Sequence, residues 1–103
     1  MMMPDIQKAR RENLRWIVLL ALNSARPLGA SEQIIYSAVQ PVVPDITQLE
    51  LRRELDYLDE RELIEVSEKD SPAWFAKLTR HGVDVVEYTQ PCEAGIARPK
   101  KYW

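Results

Sequence analysis

The sequence predicts a mainly α-helical domain that carries one small β-hairpin. Three observations lead there. Only three of the 103 residues are glycine, too few for a loop-rich or all-β chain. Thr47-Gln48-Leu49-Glu50 is a helix-start signature that opens a stretch of apolar residues at helical spacing. Residues 63–68, Leu-Ile-Glu-Val-Ser-Glu, then alternate apolar and polar, and a turn-rich segment separates them from a second strand-like run at 74–78.

Taken in order, residues 5–25 contain no Gly or Pro and read as a first helix, with Asp5 at its start favouring the dipole. Its first half is amphipathic, with Ile6, Ala9, Asn13 and Ile17 near one stripe. Its second half, Trp16-Ile17-Val18-Leu19-Leu20-Ala21-Leu22, is apolar nearly all round, which predicts burial on several sides. Arg26-Pro27-Leu28-Gly29 ends it, because proline cannot continue the hydrogen-bond ladder. Ser31 reads as the N-cap of a short second helix over 32–40, with Ile34, Ile35, Ala38 and Val39 as its buried stripe. Pro41 and Pro44 stiffen the connector that follows.

The third helix is expected over about 48–61. Thr47 caps the backbone of residue 50, Glu50 reaches back, and Ile46 and Leu51 occupy the hydrophobic-staple positions. Leu51, Leu55 and Leu58 share its core face. Lys69-Asp70-Ser71-Pro72-Ala73 is turn chemistry between the two strands. Thr79 caps a fourth helix that Gln90-Pro91 ends, with Val83, Val85 and Val86 facing inward. Residues 91–103 have neither period, so the chain divides into a domain over 1–90 and a basic and aromatic tail over 91–103. Three helices, a two-stranded wing and a further helix make the winged helix-turn-helix order, in which the third helix enters the DNA major groove.

Composition fits one folded unit, with 46% hydrophobic and 29% charged residues. The net charge of −2 hides an uneven distribution. Residues 1–26 carry Lys8, Arg10, Arg11, Arg15 and Arg26 against Asp5 and Glu12, and the end adds Arg98, Lys100 and Lys101. Residues 50–70 hold nine acids and four bases. Two basic ends thus flank an acidic middle, and both are candidate contact surfaces. The one cysteine, Cys92, excludes an internal disulfide and fits a reducing cytoplasm. The bases at 8–15 followed by the run at 16–22 imitate a secretion leader, but Asp5 and Glu12 interrupt it. The run is far too short to span a bilayer, so no membrane partner is expected.

Leu51-Arg52-Arg53-Glu54-Leu55-Asp56-Tyr57-Leu58-Asp59-Glu60-Arg61-Glu62-Leu63-Ile64 resembles the recognition helix and first wing strand of ArsR-like winged-helix regulators. Leu78-Thr79-Arg80-His81-Gly82 is similar to the Leu-Thr-x-x-Gly that follows the wing in many of them. The chain as a whole, including its ending from Gly95 to Trp103, resembles a family of small winged-helix proteins of Mu-like phages and prophages. Glu62 departs from that pattern. A glycine there permits a left-handed helix stop, so Glu62 implies either a different local geometry or strain. With one Cys and one His, the metal sensing of some ArsR-like proteins does not carry over, and no metal or cofactor is expected.

On the outward face of the third helix, Gln48, Arg52 and Arg53 suit base contacts, since Arg pairs with guanine and Gln with adenine. Asp56, Asp59 and Glu60 oppose that use by repelling phosphate. A solvated, charge-paired face is the competing reading. In the wing, Lys69 and Lys77 either touch phosphate or decorate an exposed hairpin. His81 has no acid–base partner nearby in sequence, and no catalytic constellation is present, so an enzyme is not expected. The apolar first helix predicts a homodimer through that helix and the tail. The tail itself is expected to dock by its aromatic end, leaving its bases outside. Three functions follow: a DNA-binding regulator with double-stranded DNA as partner, to which the bases of the first helix or the tail add phosphate contacts; a winged-helix module that binds protein; or a purely structural phage component.

Overall fold

The computed structural model describes residues 4–102. Its elements are α1 (Ile6–Ser24), β1 (Ala30–Ser31), α2 (Glu32–Val39), α3 (Gln48–Glu60), β2 (Ile64–Ser67), β3 (Phe75–Leu78) and α4 (Arg80–Val86). The strands form an antiparallel sheet in the order β1-β3-β2. This is a winged helix, with α2 and α3 as the helix-turn-helix and β2–β3 as the wing.

Each helix begins at a capping side chain. Asp5, Ser31, Thr47 and Thr79 accept the backbone N–H three residues on, at 2.9, 3.4, 3.1 and 3.0 Å. The capping box at α3 is only half made, however. The Glu50 carboxylate turns away to accept two bonds from Arg10, Nε at 2.7 Å and Nη2 at 2.8 Å. A two-pronged, charge-assisted contact outcompetes one backbone N–H.

Helix α1 runs through the middle and packs on α2, α3, α4 and β3. Its Leu14, Val18, Leu19 and Leu22 are fully buried among Ile35, Leu51, Leu55, Leu58, Leu63, Ile64 and Val85. Leu51, Leu55 and Leu58 are therefore core, as their spacing requires. The apolar run of α1 is largely covered by its own chain, with only Leu20 of that run well exposed.

Several expectations need correction. Strand β1 pairs Ala30 with Ala76 and Ser31 with Phe75, adding a third strand to the wing. Two residues are too short to leave a period in the sequence. That pairing sets the roll of α2, so Glu32 faces inward beside Ile35 and Val39, while Ile34 and Ala38 face solvent. Helix α4 stops at Val86 rather than near residue 90, where Tyr88 takes a left-handed φ of 64°. Its buried side is Gly82, Val85 and Val86, with Val83 only half-buried.

Glu62 settles the question its departure raised. Its φ is 60°, the conformation a glycine would take. The N–H of Leu63 donates to the Leu58 carbonyl at 3.0 Å and the N–H of Glu62 to that of Asp59 at 2.9 Å. These two bonds are the Schellman helix stop, made here on a side chain that is strained by it. Gly82 has the opposite logic. An added Cβ would collide with the Leu63 carbonyl oxygen, so α4 approaches the backbone just before β2 only because no side chain is there.

The tail docks through its middle, and Tyr102 takes no part in it. Ile96 is buried in the core, and Tyr102 is 87% exposed. Trp103 lies outside the described residues. One base, Arg98, is drawn in, donating from Nη1 to the carbonyls of Val85 and Gln90, both at 2.9 Å. The Ala97 N–H donates to the Glu12 carbonyl at 3.1 Å, and Arg15 Nη1 to that of Gly95 at 2.9 Å. Glu93 accepts from Arg61 at 2.8 Å. The guanidinium carbons of Arg15 and Arg61 lie 3.4 and 3.5 Å from the Tyr57 ring centroid, joining α1, α3 and the tail.

Candidate nucleic-acid interface

Helix α3 turns Gln48, Leu49, Arg53 and Glu60 to solvent, with Arg52 and Asp56 half-buried at the flanks. The nominated contact residues do not form one cluster; they fall into three places.

The first lies between α2, α3 and the wing. Arg52 donates from Nε to Glu32 Oε2 at 2.6 Å, and from Nη2 to Glu32 Oε1 at 2.8 Å and the Pro72 carbonyl at 3.1 Å. Glu32 is 3% exposed, and its carboxylate also accepts the Trp74 N–H at 3.1 Å. The Arg52 hydrogen bonds hold the Glu32 carboxyl below its ordinary range, against the opposing cost of burial, with Trp74 N–H and the Gln48 side chain adding to the lowering. Arg52 is raised in turn by Glu32. Lys69 sits 2.7 Å from Asp56, which raises it. Both cations approach the half-buried Trp74 ring, Arg52 at 4.6 Å and Lys69 at 4.9 Å from its centroid. Arg52 and Lys69 are thus already engaged within the chain, and they fasten the wing to α3.

The second place is the other flank of α3. Arg53 opens onto a groove of about 430 Å³ shared with Arg10 and Arg11 of α1. Arg10 spans Glu50 and Asp45, at 2.7 and 3.0 Å, and both acids raise its pKa further. The third place is Lys77, exposed on β3 opposite Glu65 of β2.

Sequence reasoning missed Glu32 as the hub of this surface and Arg11 as the neighbour of Arg53. Glu32 looked like an ordinary first-turn acid, and its partner lies 20 residues away. Arg11 belonged to a basic run with no feature separating it from Arg10. Among the described residues, no group of three or more His, Cys, Asp or Glu could hold a metal ion. No described helix is long and apolar enough to cross a membrane.

No protein-family model matches this chain, and neither does any curated protein. Solved structures do. RosR of H. salinarum superimposes with a TM-score of 0.64 at 22% identity, covering 74% of this chain and 67% of that one. BpsR of Bordetella bronchiseptica, whose DNA binding is regulated by 6-hydroxynicotinic acid, does so with a TM-score of 0.62 at 24% identity. That match covers 84% of this chain but 60% of BpsR, so the chain spans well under two thirds of its length. At these identities the likeness is one of fold.

Proposed function

We propose that this chain is a winged-helix DNA-binding transcriptional regulator, carried by a phage or prophage and acting as a homodimer. The observation that carries the reading is the solvent-facing N-terminal half of α3, where Gln48 and Arg53 stand exposed. Lys77, exposed on strand β3 of the wing, is a separate contact point. Arg52 and Lys69 serve by fixing the wing against α3. The fold likeness to BpsR supports the DNA reading, and the resemblance to Mu-like phage proteins supports the origin. The dimer rests on the outward stripe of α1. Ile6, Ala9, Asn13, Leu20 and Ser24 are exposed and Ile17 is half-buried, and none of the six is charged. The end of the tail, with Tyr102 exposed, is the second element of that contact.

The test is a titration with upstream fragments from the chain's own genome, at low and physiological salt. A regulator prefers some fragment over random duplex, and Arg53→Glu abolishes that binding. A second reading, a module that binds protein, is favoured by the acidic half of α3 and by exposed Ile34, Val42 and Leu49. It becomes the better account if no fragment is preferred and Arg53→Glu changes nothing.

A further inference from the structure

We propose that the groove between the N-terminal half of α1 and α3 is a phosphodiester site, with Arg11 and Arg53 as its two ligands. The inference rests on the regulator reading and gives the DNA backbone a specific seat. The groove, of about 430 Å³, is walled by Gln7 and Arg11 on one side and Arg53 on the other. Its lining also contains three carboxylates, each in contact with a cation, but Arg10 serves two of them, so one negative charge is left over. Asp45 and Glu50 are held by Arg10, and Glu54 by Arg15 at 2.7 Å. Arg11 and Arg53 are exposed and hold no hydrogen bond or ion pair among the described residues. Two guanidinium groups on separate helices therefore line one groove without an ion pair of their own, two positive charges against the one negative charge left over from the carboxylates. Guanidinium forks match the tetrahedral oxygens of a phosphate, and such contacts set the register of a protein on the duplex without reading its sequence. The Gln7 amide supplies a further donor at the rim. The same pairing explains how an acid-rich α3 can approach a polyanion. Glu50 and Glu54 are paired with Arg10 and Arg15 of α1, so Arg11 and Arg53, set against the remaining Asp45, leave this flank net positive.

The experiment measures affinity for a mixed-sequence duplex across a salt series, for the wild type, Arg11→Ala, Arg53→Ala, the double variant and Arg26→Ala. Arg26 removes the same charge about 20 Å away along α1, beyond the Debye length of about 8–10 Å. Each groove variant is expected to bind about tenfold more weakly and to flatten the salt slope by about one. Because both arginines act on one phosphate, the double variant loses less than the product of the two single losses. Arg53→Lys retains most of the salt slope. Thermal melts confirm that the changes at Arg11 and Arg53, exposed and unpaired, and at Arg26, held by an exposed ion pair to Glu87, leave the fold intact. If the wild type binds duplex and the groove variants behave as Arg26→Ala does, the site falls and the regulator reading stands. If the wild type binds no duplex at any salt, both fall.

Discussion

Arg52 and Glu32 form a two-pronged ion pair across the helix-turn-helix, with both guanidinium–carboxylate contacts between 2.6 and 2.8 Å. The acid is almost fully buried while the arginine side chain keeps 27% of its exposure. Removing Arg52 strands a buried charge, which in general costs about 3–5 kcal/mol. Water reaching the site lowers this, so Arg52→Ala is expected to cost about 2–4 kcal/mol in chemical denaturation. A loss under about 0.5 kcal/mol, the range of ordinary surface changes, would refute the structural role. DNA titrations of this variant must therefore be read against its stability.

The same pair makes stability pH-dependent. A carboxyl whose pKa is lowered in the folded state stabilises above its unfolded pKa, near 4.3. That contribution is lost as pH falls through the folded value, which lies lower. Melting temperature should therefore drop below about pH 4. Glu32→Gln should shrink the part of that drop due to this residue. An unchanged acid profile in Glu32→Gln would show that other carboxyls govern it.

Glu62 holds a helix stop built for glycine. A left-handed non-glycine residue costs about 1–2 kcal/mol, and the extra freedom glycine gives the unfolded chain takes back about 0.4–1 kcal/mol. Glu62→Gly should accordingly stabilise by about 0.5–1 kcal/mol. Glu62→Ala keeps the strain and should not gain. Equal effects from the two substitutions would point to charge rather than backbone.

Gly82 is the reverse case. A Cβ there meets the Leu63 carbonyl, a backbone atom that cannot turn aside. Gly82→Ala should cost about 1–3 kcal/mol, the range of overpacking, despite alanine's better helix propensity. A neutral result would mean that α4 can lift off β2 without loss.

What was legible in the sequence was what short-range chemistry dictates. Thr47, Thr79 and the Leu51-Leu55-Leu58 stripe set α3 and the start of α4, because caps and helical spacing act over a few residues. What was not legible depended on distant partners. Ile34 rolled outward because β1 and Arg52 claim the other side of α2. Glu50 left its capping box for Arg10, 40 residues away. The nominated contact residues were chosen by type and helix face, which says nothing of whether an acid elsewhere already holds them. That is why Arg52 and Lys69 proved to be engaged, and why Arg11, one base of the N-terminal contact surface, was not tied to Arg53.

The last prediction concerns the tail. Its period-free sequence gave no sign of docking, but its composition did, being too apolar for free solvent. The structure locates the anchor in the middle of the segment. Ile96 fills a core site, Arg98 satisfies the carbonyls of Val85 and Gln90, and the Tyr88 hydroxyl donates to the Pro99 carbonyl at 2.8 Å. Truncation should therefore act in a step. Removing 101–103 takes away the exposed Lys101 and Tyr102 and should shift stability by no more than about 0.5 kcal/mol. Removing 96–103 opens the core beside α1 and frees two carbonyls, and should cost at least the about 2–5 kcal/mol of a large-to-small core change. Ile96→Ala alone should reproduce the lower part of that range. Denaturation curves of the three variants decide it. If the shorter truncation costs as much as the longer one, the aromatic end is the anchor and the docking through Ile96 and Arg98 is secondary.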